Sequence, residues 1–202
     1  LAGLDWNILD LEKDQKPADT GRSSFTEVVL EPRLRKQLQA INPWLQDDQI
    51  DDVVKQLTAS FPGSDLMKNN QHLLHLLLEG TSVDENRATG ETSPTVKFVD
   101  FGKVDNNDFT AVCQFKLRVP GTEHHIIPDI VLFVNGVPLC VVECEKGSAF
   151  CANPMQEAWV QLQRYMRRRE ETELAGLREG EPRLFHSCLL LIRSSGIEAD
   201  YG

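Results

Sequence analysis

The second half of the chain carries four runs of β-branched and aromatic residues: Thr95–Val99, Phe109–Val119, Ile126–Val134 and Pro138–Glu143. Runs this short and apolar predict strands, and the last two predict strands covered on both faces. Asn135-Gly136 joins those two, and that pair is the strongest short hairpin signal. Leu184–Ile192 predicts a further strand, and Ser194-Ser195-Gly196 a turn into a short one from Ile197.

The first half shows helical spacing instead. Ser24 and Glu27 stand at capping-box distance, and Val28, Leu30, Leu34, Leu38 and Ile41 follow at a helical period. Pro32 interrupts that helix and Asn42-Pro43 ends it. Residues 47–59 and 64–79 predict two more helices, the second with a broad Leu face ended by Gly80. His72 and His75 beside that face read as structural or surface residues. The polar residues 81–93 predict a loop. Asn153 and Pro154 predict the cap and first turn of a last helix, running to about Glu171. Residues 1–23 predict an irregular arm tacked down by Trp6 and Ile8. The sum is an α/β fold: a mixed central sheet flanked by helices over residues 24–202, with residues 44–80 as a helical annex.

Composition narrows the function. The 202 residues suffice for one sizeable core. No apolar run is long enough to span a membrane, and residues 1–20 show no signal-peptide pattern. The formal charge of −10 is the wrong sign for a stand-alone DNA binder, so DNA must be delivered by partners or held on a local basic patch. Five cysteines, odd in number and without a Cys-x-x-Cys pair, point to a reducing cytoplasm and give no zinc signature. The chain opens without Met and stops after strand-like sequence, which reads as a fragment of a longer protein.

The candidate chemistry lies at the rim of the central hairpin. Asp129 opens its first strand, and Glu143-Cys144-Glu145-Lys146 closes its second. Buried carboxylates must be paired or must hold a metal. Strand parity sets a condition on this pair. With a plain two-residue turn, Asp129 opposes Val142 and Glu143 points to the other face. A three-residue loop or one bulge restores a shared face.

Pro128-Asp129 followed by Glu143 and a lysine resembles the PD-(D/E)xK nuclease core. The wording of Pro128–Cys144 is more specific. With Phe25–Leu30, Ile41-Asn42-Pro43, Phe98–Phe101, Asn107–Phe109 and Ile192–Gly196, it is similar to the N-terminal nuclease domain of the R subunit of type I restriction-modification enzymes. That resemblance implies Mg²⁺, or Mn²⁺, held by Asp129 and Glu143. It makes Glu27 a candidate third ligand, beside the plainer reading of a capping acid. The family's lysine helps activate the attacking water, but its Glu-x-Lys pattern is broken here. Glu145 stands at the lysine's place and Lys146 comes one residue late. Either the strand ends or bulges so that Lys146 swings in, or Lys116 or Lys103 substitutes, or the site binds metal weakly.

The family's Gln-x-x-x-Tyr motif matches Gln161 and Tyr165, four apart on one helix face, and so places them along a DNA-facing cleft. Arg164, Arg167, Arg168 and Arg169 crowd the end of that helix, where they suit its dipole or contact phosphates. The implied activity is non-specific cutting of double-stranded DNA after ATP-driven translocation, in complex with modification and specificity subunits. The family's motor lies C-terminal to this domain. No phosphate-binding loop motif occurs in these residues, so ATP hydrolysis is not expected of them. Two other readings stand beside this one: a nuclease-like docking or DNA-sensing module without catalysis, and another nuclease of the same core, such as a repair enzyme.

Overall fold

The computed structural model describes residues 2–11, 14–59, 65–147, 153–166 and 180–202. Its centre is a six-stranded mixed sheet. The strands are β1 (Asn7–Asp10), β2 (Phe109–Cys113), β3 (Ile130–Val134), β4 (Val137–Cys144), β5 (Leu190–Ser194) and β6 (Ala199–Tyr201), in that spatial order. β1 runs parallel to β2, and β4 runs parallel to β5; the other neighbours are antiparallel. Four helices accompany the sheet: α1 (Glu31–Ile41), α2 (Asp47–Thr58), α3 (Leu66–Glu79) and α4 (Pro154–Tyr165).

Two apolar clusters hold these elements. α1, α2 and α3 pack Leu34, Leu38, Val53, Leu57, Leu73 and Leu77 together and reach the sheet through Val137 and Phe98. The second cluster lies between the sheet and α4, where Val112, Val131, Phe133 and Val141 meet Leu162 and Tyr165. Fully burying one such side chain stabilises the fold by about 1.5–3 kcal/mol. The first cluster is thus built mainly from helical residues, and the near-continuous apolar runs of the central strands feed the second.

Several expected boundaries move, each for a local reason. The first helix begins at Glu31, not near Ser24, and Pro32 lies in its first turn rather than interrupting it. Proline has no N–H to lose there, and its fixed φ suits a helix start. Residues 24–30 form turns, with Glu27 accepting from the Ser23 amide and hydroxyl. The arm is not irregular throughout: its residues 7–10 add the edge strand β1, and Trp6 packs on Phe109 with ring centroids 5.3 Å apart. Ile8, by contrast, stays exposed.

The run Leu184–Ile192 is not one strand. A 3₁₀ turn, Pro182–Phe185, precedes β5, and the Asn70 amide pins the bend by donating to the carbonyls of Phe185, His186 and Cys188. Of Thr95–Val99 only Thr95–Val96 is strand, paired with Thr81–Ser82 inside the expected loop, where Glu85–Asn86 and Glu91–Thr92 form a second small ribbon. The long runs 109–119 and 126–134 each split in two, with Leu117–Arg118 pairing His125–Ile126 beyond a break at Gln114. The helix expected to reach Glu171 is described as far as Tyr165; residues 167–171 lie outside the described residues.

Candidate active site

The hairpin β3–β4 sets the site. Asn135 and Gly136 both adopt positive φ, 53° and 81°, the signature of a two-residue type I′ turn. The turn is seated firmly. The buried Asn135 amide donates to Phe98 O and Asn107 Oδ1, each at 2.8 Å, and the Leu30 amide donates to Gly136 O at 2.8 Å. Val134 opposes Val137 and Phe133 opposes Pro138, but Leu132 then opposes Cys140. Leu139 is the extra residue of a bulge. Beyond it Val142 opposes Ile130, so the same register carried one step further sets Glu143 against Asp129. The parity condition is met by a bulge rather than by a longer loop.

Both acids point to the face covered by α4, in the rows that continue from Val131 and Val141. Each is held by the other's strand. The Asp129 amide donates to Glu143 Oε1 at 3.2 Å, and the Cys144 amide donates to Asp129 Oδ2 at 2.8 Å. Glu143 is only 1% exposed. Burial, and after it the negative charge of Asp129, push its carboxyl up to about 8. Among the described residues no Lys or Arg forms an ion pair with either carboxylate.

Two adjacent carboxylates, one deeply buried and neither ion-paired with a cation among the described residues, are a hard-oxygen donor set that fits a small divalent ion. No group of three or more His, Cys, Asp or Glu gathers to hold a metal among the described residues. The protein would thus supply two carboxylates. Mg²⁺ characteristically takes one or two carboxylates and completes its shell with water and substrate phosphate.

The structure does not bring Glu27 to this pair. Because α1 starts at Glu31, Glu27 sits in a turn with its carboxylate on Ser23, and it lines a separate cavity with Leu57, Leu73, Arg183 and His186. Lys146 follows the end of β4 at Cys144 and is exposed. Of the two substitutes, Lys116 stacks its ammonium over Phe25, 5.1 Å from the ring centre. Lys103 abuts a 3₁₀ turn, its amide on Asp100.

Gln161 and Tyr165 do come to the site. Gln161 Nε2 donates to the Tyr165 hydroxyl at 2.9 Å, and that hydroxyl lies 3.5 Å from Ile127 O, two residues before Asp129. Burial, then the charge of Glu143, push the Tyr165 phenol above its ordinary range. Arg164 is half-buried in the last turn of α4, near enough to that phenol to oppose the shift. Arg168, with Arg167 and Arg169, lies outside the described residues.

Comparison with known proteins decides the lineage. The family described as "Type I restriction enzyme R protein N terminus" matches residues 1–202. The chain belongs to this family. It is 33% identical over 181 residues to the "Type I restriction enzyme HindI endonuclease subunit" of Haemophilus influenzae, covering 90% of this chain and 16% of that protein. It is 24% identical over 189 residues to the "Putative type I restriction enzyme MjaIXP endonuclease subunit" of Methanocaldococcus jannaschii, covering 92% of this chain and 16% of that one. The R-protein N terminus described here therefore spans about a sixth of the length of these relatives.

In this R-protein N terminus one site residue escapes sequence reasoning. Gln114, at φ +57°, turns its side chain to Asp129 and donates from Nε2 to Oδ1 at 2.8 Å. A left-handed backbone costs a residue with a Cβ about 1–2 kcal/mol. The only trace in the sequence is a lone polar residue between Cys113 and Phe115, inside an apolar run.

Proposed function

We propose that this R-protein N terminus is a Mg²⁺-dependent endonuclease domain that hydrolyses phosphodiester bonds of double-stranded DNA. It would act after translocation by an ATP-driven motor outside these residues, in the cytoplasm, with the modification and specificity subunits of a restriction complex. One observation carries the reading: the bulge at Leu139 sets Asp129 and Glu143 side by side, and no cation among the described residues neutralises them.

A divalent ion held there would polarise the scissile phosphate and lower the pKa of the attacking water. The protein's own part is to orient and to exclude water. The amides of Asp129 and Cys144 fix one oxygen of each carboxylate and so reduce the ordering cost when a ligand arrives. Tyr165, its hydroxyl bonded to Gln161 and close to Ile127 O, would with Gln161 present hydroxyl and amide groups suited to a phosphate oxygen. β4 ends at Cys144, which frees Lys146 from strand alternation, so its four-carbon stem can turn toward the water.

The test pairs cleavage with binding. Circular DNA is offered to the complete restriction complex with ATP, using wild-type subunit and Asp129→Ala, while Mn²⁺ is titrated into this chain. Loss of cleavage in the variant and loss of Mn²⁺ binding support the reading. Undiminished cleavage by Asp129→Ala, or no Mn²⁺ uptake by the wild type, overturns it. The second reading, a docking or DNA-sensing module without catalysis, is favoured by Glu145 in the lysine's place and by the exposure of Lys146.

A further inference from the structure

In an antiparallel ladder, residues of a hydrogen-bonded pair exchange two bonds. Gln114 and Asp129 exchange only one. The Gln114 amide donates to Asp129 O at 2.8 Å, and the next amide, Phe115, donates to Pro128 O at 3.0 Å. Two consecutive donors on one strand mean that the left-handed turn at Gln114 has shifted the bonding phase by one residue. Pro128 suits the shift because it has no N–H to offer in return.

The shift releases two backbone groups, and both are used. The Asp129 amide, freed from the ladder, donates to Glu143 Oε1 at 3.2 Å. The Gln114 carbonyl, freed likewise, accepts from Gln15 Nε2 at 2.7 Å. Gln15 belongs to the N-terminal arm and is only 8% exposed, and its Oε1 accepts from the Lys116 amide at 3.3 Å. Its amide therefore bridges the carbonyl at the break and an amide two residues on, replacing the bonds that the ladder has lost. Meanwhile Gln114 Nε2 holds Asp129 Oδ1 at 2.8 Å. A continuous polar line runs from the arm to the acid pair: Gln15, Gln114, Asp129, Glu143.

We infer that Gln15 and Gln114 are positioning residues for the Asp129–Glu143 pair, so that the N-terminal arm sets the geometry with which the carboxylates grip a divalent ion. The inference rests on the metal reading proposed above. Groups that hold a ligand from behind typically govern metal affinity by about 10- to 100-fold. A merely structural glutamine would instead change melting temperature and leave affinity alone.

The experiment titrates Mn²⁺ calorimetrically into the wild-type chain and into Asp129→Ala, Gln114→Gly and Gln15→Ala, with thermal melting of each in EDTA. Gln114→Gly keeps the left-handed backbone without a side chain, so it removes the Asp129 bond alone. The expected result is binding by the wild type, none by Asp129→Ala, and affinity weakened about tenfold or more in both glutamine variants. Gln114→Gly should melt close to the wild type. Wild-type affinity in both glutamine variants overturns the positioning role while the metal reading stands. A fall in melting temperature with unchanged affinity does the same. Absence of binding in the wild type removes the metal reading and this inference together.

Discussion

Asp129 and Glu143 face one another because β4 carries one residue more than its partner between the turn and the acid. Each then places an oxygen on a backbone amide of the opposite strand. Once Glu143 ionises, the arrangement costs stability in the absence of an ion, since its buried charge then lies beside the Asp129 carboxylate.

Neutral isosteres should expose that cost. Glu143→Gln keeps the volume and removes the buried charge, and Asp129→Asn removes its neighbour's. Both should abolish DNA cleavage by the complete complex. In EDTA at alkaline pH, Glu143→Gln should melt above the wild type, and added Mg²⁺ should no longer raise its melting temperature. Thermal melts with and without Mg²⁺ check this, and a Glu143→Gln variant that cleaves normally would count against the site.

The same burial makes ion-free stability pH-dependent. Glu143 holds its proton up to about 8 in the folded chain, against an ordinary value of 4.5. Between those values the folded state binds more protons than the unfolded one, so this contribution to stability declines as pH rises. Melting in EDTA at about pH 5 and about pH 8.5 should show the fall, and Glu143→Gln should remove this part of it. Mg²⁺ should stabilise most at the alkaline end, where the carboxylate is ionised.

Lys146 is the first lysine in sequence beyond β4, and the Lys116 ammonium is engaged elsewhere, over the Phe25 ring. A positioned group that manages the proton of an attacking water contributes roughly 10²–10⁴-fold. Lys146→Met should therefore lower cleavage by at least about a hundredfold while Mn²⁺ affinity is retained. Unchanged cleavage would remove Lys146 from the chemistry.

Gly136 tests the seating of the hairpin. A Cβ there would lie 2.6 Å from Leu30 O and 2.8 Å from Leu34 N, both backbone atoms, at a φ of +81°. Gly136→Ala should destabilise the chain by about 1–3 kcal/mol. Chemical denaturation measures it directly.

The hairpin, α2, α3 and the start of α4 were legible because their signals are local: Asn135-Gly136, Asp65 and Gly80 bounding a Leu face, Asn153 before Pro154. The acid pair was legible as residue types, and its parity condition could be written before the structure. What stayed hidden depends on contacts distant in sequence. β1 forms because Phe109–Cys113 offers it an edge, and nothing within residues 1–23 announces that. The left-handed backbone of Gln114 frees a carbonyl whose partner, Gln15, lies 99 residues away. Glu27 sits apart from the acid pair because α1 starts at Glu31, beyond the Ser24–Glu27 capping signal.

The slipped residue in β4 also bears on how such sites are searched for. Leu139 contributes its carbonyl to the Leu189 amide, but it adds no step to the distance between Asp129 and Glu143. Deleting it would forfeit that bond and still leave a regular ladder in which the two acids meet. The count of residues separating the pair is therefore free to vary by one without altering the chemistry, and a pattern written with a rigid gap would pass over genuine relatives.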